Sequence, residues 1–344
     1  MSDEKSSLMA EEARSASEVV ARQLAEDEPV YRELGARLRA APPPAVVTIA
    51  RGSSDHAAAY LAYLAMTQVG CPVASLPPSV VTLYRAPLQV AGGLAVAVSQ
   101  SGESPDVVST LAACSAAGAV TVAMVNTPGS PLARGAAYTL PLHAGPERSV
   151  AATKSFLASL SAVARLVASW SGDASLREAF DALPDALAAA RASDVRPLVD
   201  ALAGEPRLLV LGRGPGFSIA LEAALKLKET CALHAEAFTV AEVQHGPMAL
   251  IDDRFPLLIF APRGPAQAGL VSMAHELRQQ GAKVILVGPP GLPGADLVVP
   301  VSPHELLDPL CQIQAFYLGA AALSEARGLD PDAPRRLKKV TKTL

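Results

Sequence analysis

Glu222, Lys226 and Glu229 stand at spacings of four and three, which on a helix lines them along one face with Lys228 beside it. Two chemistries fit that face. A Glu four residues before a Lys is the favourable order for an exposed ion pair, and most charged helical faces are simply solvated. The same carboxylates are also bases able to move a proton on carbon next to a carbonyl. His234, Glu236, Glu242 and His245 follow within 16 residues of Glu229, and Gly246 and Pro247 pin His245. A histidine beside carboxylates is suited to proton transfer, because its charge changes near working pH. Each could equally be a hydrogen-bonded structural residue.

A second group is neutral. Ser99-Gln100-Ser101-Gly102-Glu103-Ser104 follows the apolar run LAVAVS and precedes Pro105, the expected first residue of a helix. A turn feeding a helix N-terminus presents backbone N-H groups to an anion. Without a Lys or Arg in the loop, it suits a compact phosphate ester rather than a triphosphate, which calls for a Walker lysine. Alternatively, Ser104 only caps the helix. The glycine turns RGSS at 51–54 and GRGPG at 212–216 do not spell a full dinucleotide fingerprint; they let backbone and the hydroxyls of Ser53 and Ser54 approach a ligand. Residues 147–154, ERSVAATK, read as the start of a long helix. The tail carries Arg335, Arg336, Lys338, Lys339 and Lys342, normally a solvated end. Leu337 and Val340 interrupt that charge, and a lysine drawn into an apolar site becomes an amine nucleophile toward carbonyls.

The elements that must position these residues alternate. Helical spacing over 8–40 suggests one or two helices before Pro42-Pro43-Pro44. Strands are expected at 45–50, 94–99 and 119–125, with helices at 55–68 and 105–117, a pattern that means a parallel, helix-covered sheet. The series then repeats: VTIARG matches LVLGRG and AVAV matches LLIF at an offset of 162, and GAVTVAMV matches GAKVILVG at 163. Two copies of one α/β unit are therefore expected, followed by a closing helix at 305–326. The expected division is an N-terminal helical segment at 1–44, domains at 45–190 and 191–330, and a tail at 331–344.

With 344 residues, half of them hydrophobic, and a formal net charge of -4, the chain can build a large core and shows no electrostatic footprint for nucleic acid. No apolar run is expected to reach membrane-spanning length, and the polar start lacks a secretory signal's apolar stretch. A soluble cytoplasmic protein is expected. Cys71, Cys114, Cys231 and Cys311 form no CxxC pair, which argues for buried free thiols over zinc or disulfides.

Together RGSS, SQSGES, ERSVAATKSF, the run from Ala220 to Asp252 and the terminal PRRLKKVT resemble the double sugar-isomerase (SIS) domains of glucosamine-6-phosphate synthase, over 45–344. The resemblance implies two tandem flavodoxin-like, parallel-sheet domains in a homodimer, acting without metal or cofactor on a hexosamine or hexose 6-phosphate. It implies that Ser54, Ser99, Gln100, Ser101 and Ser104 bind the phosphate, with Ser53 and Val150 at the sugar and Glu222 and Lys226 lining it. Glu229 corresponds to the base moving a proton between C1 and C2, His245 to a ring-opening histidine reaching the neighbouring subunit's site, and Lys339 to the Schiff-base lysine. Ala152 replaces a serine that touches the sugar, and Lys338 a small neutral residue. Only some 40 residues precede the first strand, where the synthase has a glutaminase domain. The ending PRRLKKVTKTL is most similar to stand-alone SIS-type deaminases, so the expected activity is conversion of glucosamine 6-phosphate to fructose 6-phosphate and ammonia. The alternatives are an aldose-ketose isomerase, an ammonia-dependent synthase, and a non-catalytic phosphosugar sensor.

Overall fold

The computed structural model describes residues 6–337 and 339. Lys338, Val340 and Lys342, singled out in the tail, lie outside the described residues.

Short β-branched and alanine-rich runs form two five-stranded parallel sheets. The first contains β1 (Val46–Ile49), β2 (Val73–Ser75), β3 (Leu94–Ser99), β4 (Val120–Val125) and β5 (Tyr138–Pro141), in the order β2-β1-β3-β4-β5. The second contains β6 (Arg207–Gly212), β7 (His234–Thr239), β8 (Pro256–Phe260), β9 (Lys283–Gly288) and β10 (Leu297–Val298). Its order from one edge is β7-β6-β8-β9-β10, so β6 takes the place of β1, β8 of β3 and β9 of β4. The strand order is the flavodoxin-like one. The offsets near 162 therefore mark a duplicated topology.

All six residues of β3 and all five of β8 are buried, because helices cover both faces of a parallel sheet. In the first unit Ala95, Ala97 and Ala123 pack with Val107, Leu111 and Cys114 of helix Pro105–Ala116. In the second, Leu257, Ile259 and Leu286 pack with Leu270, Met273 and Leu277 of helix Gln267–Gln279. The strands without a sequence signal are the outer ones. β2, β5 and β10 have two to four residues, too few to show a period.

Contacts divide the chain out of sequence order. One unit contains residues 18–146 and 155–180 with the first sheet; the other contains 1–17, 147–154 and 181–339 with the second. The N-terminal segment forms three helices, Leu8–Arg14, Ala16–Ala25 and Glu28–Ala40, where one or two were expected. The extra boundary is at Ser15, whose side chain turns back to the Glu12 carbonyl.

The membrane expectation needs correction. The stretch Glu305–Ala326 is long and apolar enough to cross a membrane by length and composition, but 89% of its most apolar window is buried inside the protein. It is a core helix, surrounded in its unit by helices Leu8–Arg14, Leu183–Ala190, Arg196–Leu202 and Pro215–Cys231, so apolar residues are needed on every side.

All four cysteines are free and buried. Burial raises each thiol above its ordinary range, that of Cys231 to about 11. Since only the thiolate is alkylated, Cys231 should react with iodoacetamide at pH 8 at least about a hundredfold more slowly than after denaturation. Peptide mass spectrometry of native and urea-treated protein measures this, and equal labelling would contradict the burial.

Candidate functional site

In the first sheet, β1 and β3 are neighbours, and the chain leaves them toward opposite edges, the geometry that opens a crevice beyond the strand carboxyl ends. Both loops end there. After β1, Gly52 at φ 56° starts helix Ser53–Gln68, so Ser53 and Ser54 form its first turn. After β3, the Ser99 hydroxyl accepts the Gly102 N-H at 3.0 Å and the Ser101 hydroxyl accepts the Glu103 N-H at 3.3 Å. Gly102 sits at φ 65°, where an added Cβ would lie 2.2 Å from the Ser130 hydroxyl, so only glycine fits. Ser104 precedes helix Pro105–Ala116 without making a side-chain cap; the capping alternative fails geometrically. Gln100, Ser101 and Ser104 are part-exposed, and Ser99 is buried. Arg51 and Asp106, both overlooked in the sequence, tie the two loops together: the guanidinium donates to the buried Asp106 carboxylate at 3.0 and 3.2 Å.

The equivalent loop after β8 reads APRGP in place of SQSGES. Its Arg263 is turned onto Asp308 at 2.7 Å. The hydroxyl set therefore belongs to the first copy alone.

In the second unit, helix Pro215–Cys231 carries Glu222, Lys226 and Glu229 along one face as expected, but the face is not solvated. Glu222 and Lys226 are 0% and 1% exposed and Glu229 is 21% exposed at the side chain. The Lys226 ammonium donates to Glu229 at 2.5 Å and lies 3.5 Å from Glu222. Burial opposes its charge, yet the Glu222 and Glu229 carboxylates outweigh burial and raise the amine above its ordinary range. Tyr317 donates its hydroxyl to Glu222 at 3.1 Å; burial, then the Glu222 charge, pushes this phenol well above its ordinary range. Lys228 is exposed and donates to the Ala235 carbonyl.

Residues 147–153 are irregular, with the helix starting only at Lys154; the expected helix start at 147 is thereby corrected. The fully buried Glu147 carboxylate accepts the Thr153 N-H at 2.9 Å, folding the segment on itself. Lys339 returns to this segment. Its amine donates to the Ser149 carbonyl at 2.6 Å and lies 3.6 Å from Glu147. Val150, next in the segment, is part-buried. Sequence reasoning quoted Glu147 and Ser149 only within the motif ERSVAATKSF, without a role for either, and missed Tyr317.

The histidines separate. His234 and Glu236 alternate on the exposed side of β7, an edge strand, so period 2 explains them as solvated positions. His245 is exposed on a turn, with its N-H on the Glu242 carbonyl at 2.9 Å and Gly246 at φ 150° after it. Among the described residues, no hydrogen bond or ion pair joins His245 to Glu229. A cavity of about 320 Å³ is lined by Lys228, Glu229 and Thr230 together with Asp330, Pro334 and Arg335. One group of possible cation ligands occurs among the described residues, Glu26, Asp27 and His143, and both imidazole nitrogens already face those carboxylates.

Removing Lys226 would strand a buried carboxylate. Lys226→Met should destabilise the protein by about 3–5 kcal/mol, and Lys226→Met with Glu222→Gln should recover much of that. Because the amine is raised in the folded state, its contribution is complete below the unfolded value near pH 10.4 and fades only as pH rises further. Urea denaturation at pH 7 and 9 should give equal losses; a single variant as stable as wild type would show that Glu222 is not held as a carboxylate.

The SIS domain family model matches residues 41–169 and 201–288. Glutamine-fructose-6-phosphate aminotransferase (isomerizing) from Zymomonas mobilis subsp. mobilis is 38% identical over 274 residues, 74% of this chain and 45% of that protein. The chain spans about half the length of the curated relatives it matches. A candidate phosphosugar isomerase from Silicibacter pomeroyi DSS-3 has a solved structure that is 42% identical, with a TM-score of 0.89 over 95% of this chain and 100% of that one. A glucosamine-6-phosphate deaminase from Thermotoga maritima shares the fold, with 22% identity and a TM-score of 0.71 over 96% of this chain and 100% of that one. The resemblance read from RGSS, SQSGES and the helix around Glu229 is upheld: the chain belongs to the SIS domain family, with likeness to the isomerase half of glucosamine-6-phosphate synthase.

Proposed function

We propose that the chain is a phosphosugar enzyme that converts glucosamine 6-phosphate to fructose 6-phosphate and ammonia. The observation that carries the catalytic part is Lys339. A solvated basic tail would point its amines at water, whereas this amine is bonded to the Ser149 carbonyl beside the buried Glu147. The deaminating direction rests on the likeness of PRRLKKVTKTL to stand-alone deaminases.

In this reading Ser54, Ser99, Gln100, Ser101 and Ser104 hold the phosphate through hydroxyls, an amide and backbone N-H groups. Ser53, Val150, Glu222 and Lys226 bind the sugar. His245 opens the ring, and its exposed turn suits a residue that acts on a partner subunit's substrate in a homodimer. Glu229 takes the C2 proton and returns it to C1, leaving an iminium at C2. The Lys339 amine adds to that carbon and expels ammonia, and one water then hydrolyses the lysine imine to the ketone. The balance is one water consumed and one ammonia released, with no redox change.

The 42% identical candidate isomerase favours a second reading, aldose-ketose isomerisation without loss of nitrogen. A coupled assay separates the two: ammonia and ketose should appear together from glucosamine 6-phosphate, and ketose formed from an aldose phosphate without ammonia would replace the deaminase by the isomerase.

Borohydride added during turnover should trap an adduct on Lys339 and not on Lys338. Lys339→Arg keeps the charge but forms no imine, and should lower ammonia release at least about a hundredfold, while C2 proton exchange, which needs Glu229, survives better. Near-normal deamination by Lys339→Arg, with Lys338→Arg the damaged variant, would refute the assignment.

A further inference from the structure

We infer that Glu12, in the N-terminal helix, is a positioning residue for Lys339, acting through the backbone of Ser149. The inference rests on the reading of Lys339 as the amine nucleophile. Glu12 is 8% exposed, and its carboxylate accepts the Arg148 N-H at 2.5 Å and the Ser149 N-H at 3.1 Å. The Lys154 ammonium lies 3.5 Å away. One peptide further on, the Ser149 carbonyl receives the Lys339 amine. Residue 149 is thus held at its N-H by Glu12 and at its carbonyl by Lys339, so a shift of the first contact moves the second.

Helix Leu8–Arg14 has little freedom of its own. The Asp332 carboxylate accepts the Leu8 and Met9 N-H groups at 2.7 Å each. Gln314 donates to the Ala13 carbonyl at 2.7 Å and Arg191 to the Arg14 carbonyl at 3.0 Å. Asp332 lies seven residues before Lys339, so one short helix anchors both the start of the tail and the segment that receives its lysine. A carboxylate is required at position 12, since a single group must accept two N-H bonds and face an ammonium. Glu12→Gln keeps the shape but offers one acceptor oxygen and an NH2 that opposes the second donor.

The test uses Glu12→Gln and Glu12→Ala in the full chain, with two readouts. The first needs no substrate: reductive methylation of Lys339 by formaldehyde and cyanoborohydride, followed by peptide mass spectrometry, with Lys283 as internal reference. Freed from Ser149, Lys339 should be modified at least about fivefold faster relative to Lys283 in Glu12→Ala, with Glu12→Gln intermediate. The second is ammonia release, where kcat should fall about tenfold or more with KM nearly unchanged. A purely structural Glu12 would lower the melting temperature without moving the ratio of the two lysines. An unchanged ratio in both variants overturns the inference, as does a changed ratio with unaltered kcat. If the wild type releases no ammonia and traps no adduct, the proposed function falls, and the methylation ratio still decides whether Glu12 holds Lys339. Should Glu12→Ala fail to fold, Glu12→Gln carries the same comparison.

Discussion

A buried ammonium must be neutralised where it stands, and that constraint organises the second unit. Lys226 is enclosed on a helix that packs against both its sheet and the long core helix, a position where an unpaired charge would cost several kcal/mol. Glu222 and Glu229 supply the counter-charges from one turn before and one turn after. Tyr317 donates to the same Glu222 carboxylate from the core helix. The arrangement leaves Glu229 as the least buried member, held by Lys226 at 2.5 Å and open to the cavity beside it. A carboxylate in that position is held in one orientation by its partner, which is the preorganisation the proposed proton shuttle calls for.

The duplicated sheet explains how the two units come to differ. Both copies place a strand-to-helix turn at the same topological position, and a turn there exposes N-H groups whatever its sequence. The first copy fills it with Ser, Gln and Gly, fixed by the Ser99 hydroxyl and by a left-handed Gly102 that tolerates no side chain. The second fills it with Arg263, turned onto Asp308, and puts its charged groups on the helix after β6 instead. A duplicated scaffold was thus divided into a neutral, hydroxyl-rich loop and a helix bearing buried charge.

The apolar runs of β1, β3, β4, β6, β8 and β9 were legible because a strand buried on both faces leaves a continuous apolar run, and duplication showed it twice. β2, β5 and β10 were too short for a period, and β7 carries His and Glu on its open side. The line of Glu222, Lys226 and Glu229 was legible from spacing, but its burial was not, since a helical pattern of charges reads as a solvated face. Tyr317 and Glu147 were invisible because their partners Glu222 and Lys339 lie 95 and 192 residues away. The length and hydropathy of Glu305–Ala326 point to a membrane as readily as to a core; only its neighbours decide.

The segment 147–153 shows why that distance matters. Neither helix nor strand satisfies its backbone, yet several of its residues are buried, and a buried N-H or carbonyl must find a partner. Three charged side chains supply such partners here. Glu12 accepts from residues 148 and 149, Glu147 accepts from 153, and Lys339 donates to 149. Charged groups make the stronger bonds, and here they anchor a strip of chain that has no regular secondary structure of its own. Its shape is set by residues from the N-terminal helix, the strip itself and the C-terminal tail. None of the three has a use for its charge where it stands in the sequence; each acquires one only where the folded chain brings them together.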